Sequence, residues 1–216
     1  MDTIITNIDL LIPELKSKLN NTLPGRDAQS KMISQFQRSL VEYFNEDKKL
    51  RDAAVLIILF KDGHRLKTIL IERMPDPGPH SGQIAFPGGR KESFDSDLID
   101  TAIREAEEEI GVKTIRENII GCLTKVEIPV SGFSVVPVVG VINEYPVIMP
   151  CPREVNNVFI VDLIELFESK TTKIIEVRGS QIEVPCYVIN NKQVVWGATA
   201  MVLSEFEEIF NQISKS

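Results

Sequence analysis

The spacing of apolar positions changes near residue 53, and the change divides the chain into two textures. Before it, Leu10, Leu11, Leu15 and Leu19 recur at near-helical intervals and the run closes in Asn20-Asn21 ahead of Pro24-Gly25, which predicts a helix over residues 6–20. A second helical stretch is predicted from about residue 27 to 43, running into the polar cluster 45–52 as a connector. Beyond it the runs are short and β-rich. Residues 53–60 and 66–72 flank Lys61-Asp62-Gly63 and read as a hairpin. A Pro/Gly-rich loop over 74–82 follows, then a short strand, 83–86, that closes on a turn at Pro87-Gly88-Gly89. A helix over 97–110 stops at Gly111. Further strands are predicted at 119–126, 135–142, 159–161, 174–177, 184–189 and 194–196. Two more helices are predicted at 162–167 and 198–213, the last with Val202, Phe206, Ile209 and Ile213 on one face. Mixed strands with segregated helices predict an α+β or α/β sandwich, with residues 1–50 as an N-terminal helical extension and 51–216 as the main domain. No internal repeat interrupts this reading.

Composition narrows the classes of partner. A chain of 216 residues, 43% hydrophobic and 25% charged, is large enough to bury its own core and falls among ordinary globular proteins. A net charge of -7 argues against a nucleic-acid surface, which needs Lys and Arg to neutralise phosphates. Small anionic substrates remain open if cations or bound metal are placed locally. Cys122, Cys151 and Cys186 have neither CxxC spacing nor an even count, so buried thiols in a reducing compartment are expected rather than a disulfide framework or a zinc site. The first residues carry Asp2 and Asp9 and lack the basic and apolar regions of a secretory signal, and the run 53–60 is far short of the roughly 20 residues a membrane span requires. A cytoplasmic protein with no membrane partner is the expectation.

The helix over 97–110 carries the candidate chemistry. Ile99, Ile103, Ala106 and Ile110 cluster on one side, a stripe suited to packing on a sheet. Glu105, Glu108 and Glu109 share another face within about 100° of arc. Like charges so placed destabilise a helix by some tenths of a kcal/mol per pair, and no matching Lys or Arg set offsets them. A hard divalent cation resolves the conflict, because Mg²⁺ takes oxygen ligands from a few carboxylates and from substrate phosphates. Read alone, the run is a solvated acidic face. The preceding Gly88-Gly89 strengthens the metal reading, since glycine permits close backbone approach to a ligand, although a lone pair of glycines is equally an ordinary turn. Arg104 can pair with one carboxylate and orient the others.

Together Gly89, Asp95 and the run Arg104-Glu105-Ala106-Glu107-Glu108-Glu109-Ile110-Gly111-Val112 resemble the Nudix box, G, five residues, E, seven residues, REUxEExGU with U apolar. The second half is complete. The first departs, with Asp95 in place of Glu and eight residues rather than seven before Arg104. The segment 80–89, HSGQIAFPGG, together with 128–133 and 196–200, is similar to the branch of the family that contains coenzyme A pyrophosphatases. The upstream signature of that branch expects a Ser and a Leu-Arg pair where this chain has Met74 and Pro77-Gly78.

The resemblance implies an α/β/α sandwich and Mg²⁺- or Mn²⁺-dependent hydrolysis of a diphosphate in a nucleotide derivative. For coenzyme A the products would be adenosine 3',5'-bisphosphate and 4'-phosphopantetheine. ADP-ribose, dinucleotides or nucleoside triphosphates are the alternative substrates, and a silent nucleotide sensor the alternative class. It further implies Glu105 and Glu109 as principal metal ligands, Glu108 as a further ligand or base, a carbonyl near Gly88 as a backbone ligand, and Arg104 as organiser. A homodimer is expected by resemblance only.

The physical task is to neutralise adjacent phosphates and supply a nucleophile, with one of Glu105, Glu108 or Glu109 taking the proton. Arg73, Arg90, Lys91 and Lys125, on or beside loops near Gly88 and Gly89, are candidates for substrate phosphates, against plain surface charge. His80 is a candidate substrate contact rather than a ligand, because the only other histidine, His64, sits in the hairpin turn. Glu154 reads as a boundary residue before a distant metal-site carboxylate, and Trp196 as a core aromatic before an adenine platform.

Overall fold

A computed structural model describes residues 8–35, 50–78, 80–177 and 179–215. Helix α1, Ile8–Leu19, buries Ile8, Leu11, Leu15 and Leu19 along one face. Leu10, expected on that stripe, is 52% exposed and points away. Helix α2 is only Gly25–Ser30, and the chain turns at Lys31-Met32, so the single helix expected over 27–43 is broken; residues 36–43 lie outside the described residues. Tertiary anchors override the local periodicity here. The Ser204 hydroxyl donates to the Ala28 carbonyl, and Gln29 Nε2 donates to Glu205 Oε2 at 2.8 Å. Glu205 is fully buried and also accepts from the backbone N–H groups of Gly25 and Thr124.

The hairpin expectation holds and extends: β1 is Arg51–Asp62 and β2 is Arg65–Arg73. They pair only near the turn, from Phe60↔Lys67 to Asp62↔Arg65, and then diverge. β2 continues beside β8, Val155–Asp162, whereas β1 runs parallel to β7, Phe133–Val141, from Arg51↔Phe133 to Leu59↔Val141. The divergence opens a wedge, and the segment from β3, Ile84–Ala85, to β4, Gly88–Arg90, fills part of it. Gly88 and Gly89 are thus strand residues paired with Val55 and Ala54 rather than the expected turn. The predicted strand over 119–126 is two, β5 Ile119–Cys122 and β6 Val126–Ile128, both antiparallel to β7. A separate meander holds β9, Thr171–Val177, β10, Ser180–Ile189, and β11, Gln193–Val195.

Alternation along β1 builds both layers of the core. Ile57 and Leu59 face the layer of α1 and α5, Gly197–Ile213, with α4, Leu163–Glu168, at its margin. Ala54, Leu56, Ile58 and Phe60 face the other layer, where α3, Leu98–Ile110, lies. A mixed sheet between helical layers is the expected α/β/α sandwich. On α3 the buried stripe is Ala102, Ala106 and Ile110, so the axis is rotated from the sequence expectation and Ile103 is only half-buried. That rotation turns Glu109 inward.

Candidate active site

Two local signals hold α3 in place. Asp97 caps its N-terminus by accepting from the backbone N–H groups of Ile99, 2.9 Å, and Asp100, 3.0 Å. Gly111 ends it in the left-handed region, φ 70°, donating to the Glu107 carbonyl. Within those limits the glycines of β4 decide how near the helix can come. A Cβ on Gly88 would sit 2.3 Å from the Ala54 carbonyl oxygen, and one on Gly89 would sit 2.5 Å from a Glu105 carboxylate oxygen. Only glycine admits the carboxylates of α3 against the strand edge.

Asp95 and Arg104 form the first half of the site. Arg104 grips Asp95 with two parallel bonds, Nε to Oδ1 and Nη2 to Oδ2, each 2.9 Å, and its Nη1 reaches Glu105 at 2.8 Å and Glu108 at 2.9 Å. Asp95 also accepts from the Glu92 N–H and the Thr101 hydroxyl. The Arg104 hydrogen bonds hold the Asp95 carboxyl well below the usual carboxylate range even though it is buried. The Asp that departs from the Nudix-box Glu therefore sits beneath the guanidinium and fixes it.

Glu109 is the counterpart. It is 1% exposed, accepts from the Gly88 N–H at 2.8 Å, and receives Arg73 Nη1 at 3.3 Å. Burial pushes its carboxyl up to about 7; Gly88 and Arg73 oppose the rise, while Glu105 and Glu154 add to it. Glu105 is also raised by burial, against the pull of Arg104.

Both carboxylates open on a cavity of about 650 Å³. Its polar end is built by Arg73, Gly88, Gly89, Glu105, Glu109 and Glu154; its apolar wall by Phe86, Val126, Ile128, Val130, Phe133 and Val202. Arg51, Asp76, His80 and Arg90 also contribute, and His80 Nδ1 lies 2.9 Å from Gln83 Oε1. The structure thus brings together Glu105, Glu109, Gly88, Gly89, Arg73, His80 and Arg90. It leaves Glu108 outside the wall, more than half exposed and engaged with Arg104. Lys91 lines an adjoining cleft instead, and Lys125 is an exposed partner of Glu127. Arg51 is a cavity residue that no local sequence motif singles out, and Glu154, expected first as a boundary residue, also lines the cavity.

Among the described residues no three His, Cys, Asp or Glu side chains close into a metal cage, and Arg73 and Arg104 pair with Glu109 and Glu105 respectively. The donor chemistry still fits a hard divalent ion, since the groups facing the cavity are carboxylates whose pKa values are raised by burial and by neighbouring carboxylates, Glu154 among them.

A family model, the NUDIX domain, matches residues 50–173. The chain is 33% identical over 184 residues to an uncharacterized Nudix hydrolase, NudL, of Pectobacterium atrosepticum, covering 84% of this chain and 94% of the relative. It is 30% identical over 184 residues to the NudL of Yersinia enterocolitica, with 84% and 93% covered. Among solved structures, a MutT/nudix family protein from Enterococcus faecalis superposes with a TM-score of 0.56 at 18% identity, covering 86% of this chain and 73% of that one, a likeness of fold. Sequence relatives and fold together define a hydrolase acting on phosphorus-containing anhydrides. The chain belongs to the Nudix family, whose members cleave pyrophosphate linkages in nucleotide derivatives and generally use divalent metal ions.

Proposed function

We propose that this chain hydrolyses the diphosphate of coenzyme A or its acyl thioesters, releasing adenosine 3',5'-bisphosphate and 4'-phosphopantetheine or its acyl form, with Mg²⁺ or Mn²⁺ as cofactor. One observation carries the reading: the three segments that resemble the coenzyme A branch, distant in sequence, all contribute walls to the one cavity. His80, Gln83, Phe86 and Gly88 come from the first, Ile128, Val130 and Phe133 from the second, and Ala198 and Thr199 from the third.

In this reading Glu105 and Glu109 hold the ion, with the Gly88 carbonyl as a backbone ligand and Glu154 as a further carboxylate at the same end. Bound there, the ion would neutralise phosphate charge and lower the pKa of water for attack. Glu105 or Glu109 takes the proton, because both face the cavity whereas Glu108 faces Arg104. Arg104 positions the cluster through Glu105. Arg73, His80 and Arg90 contact the substrate, with the apolar wall accepting its uncharged portion. Residues 51–216 form the hydrolase domain and residues 1–50 an extension whose helices α1 and α2 pack on it; cytoplasmic residence and a homodimer complete the proposal.

The second reading, ADP-ribose, a dinucleotide or a nucleoside triphosphate, draws on Gly78. It lines the cavity where the branch signature expects Arg, and its neighbour Asp76 adds a negative charge there. Incubation with Mg²⁺ or Mn²⁺ and coenzyme A, ADP-ribose, NADH and dNTPs, with identification of products, separates the readings. The first requires coenzyme A to give adenosine 3',5'-bisphosphate, and preferential turnover of ADP-ribose would replace it with the second.

A further inference from the structure

Beside the catalytic cavity lies a second cleft, of about 500 Å³, whose walls include Arg51, Arg90 and Lys91. Arg51 and Arg90 line both spaces, so the two adjoin at those side chains. Pairing of β1 with β4 places this basic side beside the active-site strand: Arg90 opposes Ala53, two residues from Arg51, and directly follows Gly89, against which Glu105 packs.

Three cations converging in a chain of net charge -7 need a physical reason. Arg90 is engaged by Glu92 at 2.7 Å. Arg51 and Lys91 have no carboxylate partner among the described residues. Arg51 is nevertheless held in place: its guanidinium lies over the Phe133 ring, 4.1 Å from the centroid, and Nη2 donates to the Ser131 carbonyl at 3.0 Å. A guanidinium fixed by an aromatic face and a backbone oxygen, with no counter-ion among the described residues, is arranged to receive an anion. Asp52 and Glu92 on the same cleft exclude a broad polyanion surface and favour one compact group.

We infer that this cleft is a second anion subsite, which takes a phosphomonoester carried by the substrate apart from the scissile diphosphate, with Arg51 and Lys91 as its specificity determinants. The inference rests on the proposed coenzyme A reading, in which the group is the 3'-phosphate.

The test compares kcat/KM for coenzyme A and 3'-dephospho-coenzyme A in the wild-type enzyme and in the Arg51→Gln and Lys91→Gln variants, with Lys113→Gln as a control for bulk charge. The wild type should favour the phosphorylated substrate by about ten-fold or more, as expected for charge-assisted bonds to a phosphate. Either variant should bring that ratio towards one through KM, and the control should preserve it. Thermal melting establishes that the variants are folded, and Lys91→Gln keeps the test open if Arg51→Gln is not. A wild-type ratio near one, or variants that retain the preference, overturns the subsite. If neither coenzyme substrate is cleaved, the functional reading fails separately. The subsite is then tested by competition of adenosine 3',5'-bisphosphate against AMP with whichever diphosphate is turned over: three-fold or stronger preference for the bisphosphate, lost in Arg51→Gln, supports it, and equal inhibition overturns it.

Discussion

Two buried carboxylates within a few ångströms of the same helix are kept in opposite conditions. Asp95 has a bidentate guanidinium, a backbone N–H and a hydroxyl, and it stays ionised. Glu109 has one backbone N–H, a longer contact from Arg73 and two acidic neighbours, and its proton is retained to about pH 7. Burial charges both for desolvation, but only Asp95 is fully compensated from within the chain. The difference separates a carboxylate that builds the site from one whose compensation must come from outside, as a divalent ion bound there would provide.

The contrast breaks most visibly in turnover. Glu109→Gln is expected to lower Mg²⁺-dependent hydrolysis on the order of a thousand-fold, in the range for loss of an acid–base group, while circular dichroism reports a folded protein. Wild-type turnover by this variant would remove Glu109 from the mechanism. Next is Arg104→Ala, which strands Asp95 in the interior and should cost about 3–5 kcal/mol in urea unfolding. Arg104→Lys should recover only part of this, because an ammonium cannot form both bonds at once.

The pH dependence of the metal-free protein sharpens the same contrast. The folded pKa of Glu109 lies above its ordinary 4.5, so its contribution to stability is complete below that value and is lost as pH rises through about 7. The shift corresponds to roughly 3 kcal/mol, and Glu109→Gln should flatten the fall in melting temperature between pH 5 and 7.5. A parallel fall in the variant would assign the slope to other groups. Asp95 runs the opposite way: its folded pKa is depressed, so its contribution is present above the ordinary 3.8 and is lost as pH falls further. The smallest effect is expected for Glu108→Gln, within about 1 kcal/mol of wild type in stability because the pair is exposed on the Glu108 side. A loss of turnover matching that of Glu109→Gln would place Glu108 in the chemistry after all.

Helix α3 was legible because local signals agreed: Asp97 before it, Gly111 after it, and glutamates four apart between. Its rotation was not, because Ile103 and Ala102 compete for the core and only the sheet decides between them. The Gly-Gly pair read as a turn since glycine usually marks one; its place in β4 depends on the divergence of β1 from β2, which no local pattern records. Arg51 escapes for the same reason, standing beside the site through strand pairing rather than through sequence spacing, and Glu154, which reads first as a boundary residue, reaches the cavity only through chain reversal. The pattern overextends helix α2 because its end is set by contacts with α5, 176 residues away.

Those contacts bear on how far the protein can be trimmed. A version beginning at Leu50, where the family match starts, would delete two of the donors that satisfy Glu205 and strip Leu15 and Leu19 from the interior they fill. An ionisable oxygen pair would then face an unfilled crevice. A version that keeps α1 and α2 should therefore be more stable than one beginning at Leu50, and the opening helices act as a keel for the layer opposite α3.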